Sequence, residues 1–270
     1  MSKDAKLLRF YSILAGLIFL TALLAPFILT QDPYESSMQQ AFLPPSAEHW
    51  FGTDKLGRDL FTRVIYGARI SVFMSLTVVI LIAGIGSAIG VVAGYVGGKV
   101  DTIIMRLADM FLAFPGIVLA IAIAGMMGGS VVNAILALVV VGWTKYARLA
   151  RSMTLKVRQQ DYIAAAVTNG TRPVQMFFRH IAPNILSIIL VTAAVDIGAM
   201  MMELAGLSFL GFGAQPPTPE WGLMLNEGRQ ALQTAPWLML FPGAAIVLVV
   251  AVFNLWGDAL RDWLDPNKAS

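Results

Sequence analysis

The sequence predicts an all-α integral membrane protein with six transmembrane helices. Three observations carry this expectation. The 270 residues are 57% hydrophobic and only 13% charged, whereas soluble domains carry about 25% charged residues. Five uncharged or nearly uncharged stretches, at 10–31, 70–98, 110–144, 181–210 and 236–257, reach the ~20 residues that a helix needs to cross a bilayer core. The Lys and Arg residues are spread unevenly over the segments between them.

Lys3, Lys6 and Arg9 precede the first stretch, and its 22 uncharged residues exceed the roughly 7–15 of a signal-peptide core. It is therefore expected to be an uncleaved span after a cytoplasmic N-terminus at 1–9. An external segment follows at 32–69. Pro33, Pro44, Pro45, Gly52 and Gly57 predict turns there rather than a long helix. Its Asp54, Lys55, Arg58, Asp59 and Arg63 are spaced to pair locally.

The second span carries Gly86, Gly90, Gly94 and Gly98 at four-residue spacing. Such a groove lets another backbone approach closely. Its partner is either a helix of the same bundle or another subunit. The stretch 110–144 is too long for one helix, and the run from Gly125 to Ser130 contains glycines and a serine that break a helix. It divides into spans at about 110–126 and 130–144, which makes six.

Six spans put both ends on one side. With the N-terminus inside, the inner segments hold 14 of the 19 Lys and Arg residues and the outer ones five. Basic loops stay in the cytoplasm, so this orientation is expected for the transmembrane domain 10–257. The tail 258–270 and the loop 145–180 are then cytoplasmic.

The chemistry of an enzyme is missing. There is no cysteine, and the two histidines, His49 and His180, fall on opposite sides of the bilayer. No helix carries the paired histidines of a zinc protease, and no phosphate-binding loop of the G-x-x-x-x-G-K-[ST] type occurs. The chain is expected to be non-catalytic, with no catalytic residue, no assigned metal ligand and no cofactor of its own. The net charge of +3 reflects topology rather than nucleic-acid binding.

Two carboxylates fall inside the fifth span. Asp196 and Glu203 share a helix face, with Met200 between them. A charge at membrane depth costs at least about 2.5–3.5 kcal/mol and usually faces a cavity or a partner. Either these groups are satisfied by polar neighbours of the bundle, or Asp196, Met200 and Glu203 line a substrate path. In the second case a carboxylate face would favour a cation.

The loop 145–180 holds seven Lys/Arg residues and one acid, Asp161. A short Ala-rich helix is expected at about 161–168, ended by Asn169-Gly170. Pro173 and a second amphipathic turn ending at Pro183 follow. This reads as a docking element. The Asn169-Gly170-Thr171 string matches a glycosylation sequon, but in a cytoplasmic loop it reads as a helix-ending turn.

The same loop resembles the cytoplasmic EAA loop of ABC importer permeases, through Ala164, Ala165, Ala166, Gly170 and His180-Ile-Ala-Pro183-Asn184. The family usually has Glu at the place of Ala164 and Leu at that of Ala182. Three further strings are similar to the C-type subunit of the peptide/nickel branch: FGTDKLGRDLFTR at 51–63, LSFLGFGAQPPTPEWGLML at 207–225 and LRDWLDP at 260–266. The segment 196–206 looks more like the nickel and metal-chelate permeases than the dipeptide ones.

This resemblance implies a six-helix type I permease that forms half of a translocation path for nickel or a nickel chelate, with di- or oligopeptides as the alternative. It implies a homologous second permease, two cytoplasmic ATP-binding subunits that hold the ATP and Mg, and an extracytoplasmic substrate-binding protein. It places the chain in the bacterial inner membrane. Asp161, Ala164, Ala165, Ala166, Gly170, His180 and Pro183 would form the coupling loop, with Ala165 and Ala166 against a groove of the ATPase. A secondary carrier without ATPase partners is the alternative from another class.

Overall fold

The computed structural model describes residues 3–264, so the tail 265–270, with Lys268 and the end of the LRDWLDP string, lies outside the described residues. Among the described residues the regular elements are helices, joined by turns and loops, with one isolated bridge between Thr53 and Asp59. Five helices are long and apolar enough to cross a membrane: α1 (Lys3–Ile28), α2 (Leu60–Val96), α5 (Val131–Arg158), α8 (Ala182–Phe209) and α10 (Trp237–Leu264). The sixth candidate span is a bent pair, α3 (Gly98–Leu112) and α4 (Gly116–Met127), whose axes turn by 88°.

That bend corrects the straight span expected at 110–126. The break falls at 113–115, where Pro115 lacks an N–H and disfavours helical geometry in the residue before it. The second expected break is where the glycines are. Gly128 takes a positive φ of 85° after α4, and Ser130 caps α5 by accepting the N–H of Val132 at 3.3 Å.

Hydropathy found the apolar stretches but not the helix ends. Helix α2 has 37 residues, about 55 Å at 1.5 Å per residue, which is longer than the bilayer core. It starts at Leu60 because Asp59 caps it, accepting the Thr62 N–H at 2.8 Å. The last turns of the external segment are therefore helical. Helix α5 likewise runs on through the first 14 residues of the basic loop, to Arg158.

Helices α2 and α5 run parallel, and glycine spacing sets their approach. A Cβ on Gly90 would lie 2.1 Å from the carbonyl oxygen of Ala147, and one on Gly86 would lie 2.4 Å from that of Trp143. Gly94 faces Arg151 and Thr154 in the same way. The groove is thus filled from within the chain. Gly98 is not part of it: it opens α3 with φ +57° and has open space around it.

Two apolar clusters fill the bundle. One joins α2, α4, α5 and α8 around Val78, Ile82, Leu138 and Ile185. The other joins α1, α2, α8 and α10 around Val72, Ile197, Met201 and Phe253. Trp221 of the short helix α9 (Trp221–Gly228) enters the second cluster.

Candidate functional site

Three regions hold the polar chemistry: the segment between α5 and α8, a cleft halfway along the bundle, and a cap over the opposite end.

The segment between α5 and α8 contains α6 (Asp161–Thr168), α7 (Pro173–Met176) and a π turn, Phe177–Ile181, that runs into α8. Helix α6 occupies the residues expected of it. It ends in a left-handed Gly170 (φ +74°), and the Thr171 N–H reaches back to the Ala166 carbonyl at 3.1 Å. This is the six-to-one bond of a Schellman ending, in which a glycine takes the positive φ at least cost.

One expectation fails here. Ala166 is buried in the chain's own core beside Ile163, three residues earlier on the same face. Among the described side chains of α6, Asp161, Tyr162, Ala165 and Thr168 are exposed. Ala165 therefore points outward while Ala166 anchors the helix. The Ala164 side chain lies outside the described residues. Behind α6, Asn184 donates to the His180 carbonyl at 2.6 Å and to the Tyr162 hydroxyl at 3.2 Å. The Tyr162 and His180 rings lie 6.0 Å apart, and Pro183 is exposed in the first turn of α8. The His180–Asn184 string thus holds α6 in place from the side of α8.

Arg148, Arg151 and Arg158, before α6, are not free loop charges. Arg158 donates to the carbonyls of Gly94 and Tyr95 at 2.9 and 2.8 Å, which caps the end of α2. Arg151 pairs with Asp101 and Arg148 with Asp109. Both bonds tie α5 to α3.

The second region is a cleft of ≈ 490 Å³ between α5, α8 and α10, lined by Lys145, Ser187, Thr192, Asp196 and Arg261 among apolar residues. Asp196 is buried and does not stand alone. Lys145 Nζ donates to its two carboxylate oxygens at 2.6 and 2.9 Å, and the Tyr146 hydroxyl donates at 2.9 Å. Both partners lie halfway along α5. Ending that helix at 144 hid them, although Lys145 is the first charge after a long uncharged stretch. Met200 packs against both apolar clusters, and Glu203 is half-buried one turn further on. The stripe therefore offers no open row of carboxylates.

The cap is built from the external segment and α9. Arg58 and Arg63 are both 1% exposed. Arg58 Nε binds Asp54 at 2.6 Å, and the Nη2 atoms of Arg58 and Arg63 reach Glu227 at 3.3 and 3.4 Å. Arg63 also donates to the Pro33 and Pro217 carbonyls. Of the pairs expected in this segment, Arg58–Asp54 is local, whereas Glu227 comes from more than 160 residues away. Sequence spacing gives no signal for that partner. Glu220 caps α9, accepting the Gly222 and Leu223 N–H groups at 2.9 and 2.8 Å. Burial pushes its carboxyl above the usual range. Trp221 next to it donates to the Val64 carbonyl of α2 at 2.8 Å. The conspicuous string 207–225 thus serves to lock α9 onto α2.

Comparison with known proteins bears on this arrangement. Residues 86–270 match the family model described as "binding-protein-dependent transport system inner membrane component". The dipeptide transport system permease protein DppC of Alkalihalophilus pseudofirmus is 44% identical over 95% of this chain and 86% of its own length. The nickel transport system permease protein NikC of Escherichia coli is 41% identical over 96% of this chain and 94% of its own. The glutathione transport system permease protein GsiD of Pectobacterium atrosepticum is 46% identical over 84% of this chain and 75% of its own. Among solved structures, a chain of the MetNI methionine ABC transporter in inward-facing conformations superposes with a TM-score of 0.55 at 18% identity, over 73% of this chain and 95% of its own, a likeness of fold. The secondary-carrier alternative gains no support from any of these. The chain belongs to the binding-protein-dependent inner membrane components, and within them to the ABC importer permeases of the peptide/nickel family.

Proposed function

We propose that this chain is one of two permease halves of an ATP-driven importer in a bacterial inner membrane, with both termini in the cytoplasm. The observation that carries the reading is α6: a short helix, exposed along Asp161, Tyr162 and Ala165, held at its ends by Gly170 and the His180–Asn184 string. Two cytoplasmic ATP-binding subunits hold the ATP and Mg and dock on the α6 segments of the two permeases. An extracytoplasmic protein delivers the ligand. Coupling is differential: ATP binding favours one arrangement of the ATPases, and α6 passes that preference to the bundle.

For the ligand, the Asp196–Lys145 pair favours a molecule with charges of both signs, a di- or oligopeptide. Asp196 with its Lys145 partner presents no net charge, so a bare cation gains little there. Nickel, carried in a chelate, is the second reading, and the character of segment 196–206 favours it. Asp196, paired with Lys145 in the cleft wall, is then the polar group that the chelate passes.

The test is uptake by proteoliposomes. The chain assembled with its partner subunits should take up a labelled dipeptide only with ATP, magnesium and the binding protein present. Uptake of radioactive nickel in preference to dipeptide would establish the second reading. Uptake by this chain without ATPase subunits would overturn the importer assignment.

A further inference from the structure

Helix α3 divides its side chains between two faces. Its two acids turn inward: Asp101 pairs with Arg151 and Asp109 with Arg148, both on α5. Ala108 is buried on the same side. The exposed apolar residues Val100, Ile103, Leu107 and Met110 recur at three, four and three residues, so they form one stripe along the helix. None of the four belongs to either apolar cluster of the bundle. Lys99 and Arg106, seven residues apart, run as a second row beside Ile103 and Met110. Both are exposed, and neither has an ion-pair partner among the described residues.

The depth of α3 follows from its partners. Helix α5 carries no charge from Val131 to Thr144, and then Lys145, Arg148 and Arg151 at three-residue steps. Such a change from apolar to basic residues marks where hydrocarbon gives way to headgroups. The α3 carboxylates bind Arg148 and Arg151, and the Phe111 ring lies 6.1 Å from that of Trp143. Helix α3 is therefore tied to the bundle at that boundary. Its axis turns by 88° from α4, whose Ala120 and Ala124 are buried in the apolar cluster. An apolar stripe bordered by bases, on a helix bent away from the span that follows, is the design of a helix lying in the membrane interface.

We propose that α3 binds anionic phospholipid at the α6 end of the bundle. Lys99 and Arg106 hold the phosphate-bearing headgroup, and the stripe lies against the acyl chains. Basic residues at a membrane surface attract anionic headgroups. The sorting of charge favours this occupant over a protein. The acids of α3 are both held by arginines of α5, which leaves the outer side with two unpaired positive charges. One lipid layer supplies phosphates and apolar chains together at this depth. A covering subunit would have to bring carboxylates to both bases as well as an apolar face.

The test is fluorescence quenching by brominated lipids. The chain has no native cysteine, so Met110→Cys carries a bimane label on the stripe. The labelled chain is assembled with cysteine-free partner subunits in dioleoyl phosphatidylcholine nanodiscs. Brominated phosphatidylglycerol should reach half-maximal quenching at about one-fifth of the fraction that brominated phosphatidylcholine needs. Adding Lys99→Gln and Arg106→Gln should bring the two lipids together while quenching by phosphatidylcholine stays as before. No quenching by either lipid would mean that another subunit covers the stripe and would overturn the proposal. Equal quenching by both lipids in the chain with Lys99 and Arg106 intact, or an unaltered preference in the Gln variant, would overturn it too. Loss of all quenching in the Gln variant would give the two bases a structural role and count against it. The readout is lipid contact and not uptake, so it stands or falls apart from the importer reading.

Discussion

The cap and the α6 segment sit at opposite ends of the bundle and are built in opposite ways. The cap buries two arginines against two carboxylates and sends bonds to several distant elements: Arg63 reaches Pro33 and Pro217, Glu227 of α9 meets both arginines, and Trp237 of α10 donates to the Thr53 carbonyl. Phe51 stacks on Phe241 with centroids 3.8 Å apart. Helix α6 has eight residues and an outer face left to solvent at Asp161, Tyr162 and Ala165. A buried and balanced charge network tolerates no loss of a member. A short helix anchored by Ile163, Ala166 and the Asn184–Tyr162 bond is small enough to shift as a unit. The difference suits a permease in which one end is a fixed frame and the other a lever.

The largest effect should come from breaking the frame. Arg63→Ala leaves Asp54 and Glu227 buried with one counter-charge fewer, a loss of about 3–5 kcal/mol. The complex should melt at clearly lower temperature and accumulate poorly, and Arg63→Lys should recover only part of this. A variant with normal melting and yield would show that the cap is no frame.

Next in size is the α2–α5 contact, which links the two ends. Gly90→Val would drive a side chain into the Ala147 carbonyl, 2.1 Å from the Cβ position. Overpacking of this kind costs about 1–3 kcal/mol or more. Detergent-solubilised complex should lose thermal stability, and Gly84→Ala, elsewhere on α2 with open space around an added Cβ, should lose far less.

These two regions also show what a sequence makes legible. The apolar stretches, the break at the glycines, α6 and its Gly170 ending were readable because each depends on residues close together in the chain. The bend at Pro115 was readable in principle, from one proline inside an uncharged stretch, but length alone concealed it. The partners of Asp196 and Glu227 were not readable. They come from 50 and more than 160 residues away, and no spacing rule reaches across a fold. Nor did composition reveal which alanine of the 164–166 run faces inward, since that depends on the phase of α6 against its neighbours.

A smaller effect is expected at the Asp196 pair, between the two ends. Lys145→Met removes the principal counter-charge but leaves the Tyr146 bond, so the loss should be about 1–3 kcal/mol. Adding Asp196→Asn should restore much of it, and ATP-driven uptake should recover in parallel. If the double variant is stable yet inactive for every ligand, the pair belongs to the transport step itself. Replacing Asp196 by Asn and Glu203 by Gln together should then lower nickel uptake more than peptide uptake if nickel is the ligand.

The smallest change in stability should be at the lever. Gly170→Val forces a β-branched residue toward φ +74°, a cost of about 1–2 kcal/mol confined to the end of α6. Membrane insertion should remain normal while ATP-driven uptake falls severalfold, so that the effect on transport exceeds the effect on melting. Full uptake in that variant would remove the lever from the account.

The central claim, that the exposed face of α6 docks an ATPase subunit, is tested most directly by crosslinking from Ala165. The chain has no native cysteine, so Ala165→Cys carries a photoreactive maleimide at one defined point on that face. In the assembled complex it should capture an ATP-binding subunit, with a yield that changes when ATP and magnesium are added. The same probe at Thr218→Cys, beyond the opposite end of the bundle, should not. No capture from 165 in an intact, ATP-hydrolysing complex, or equal capture from both positions, would contradict the claim.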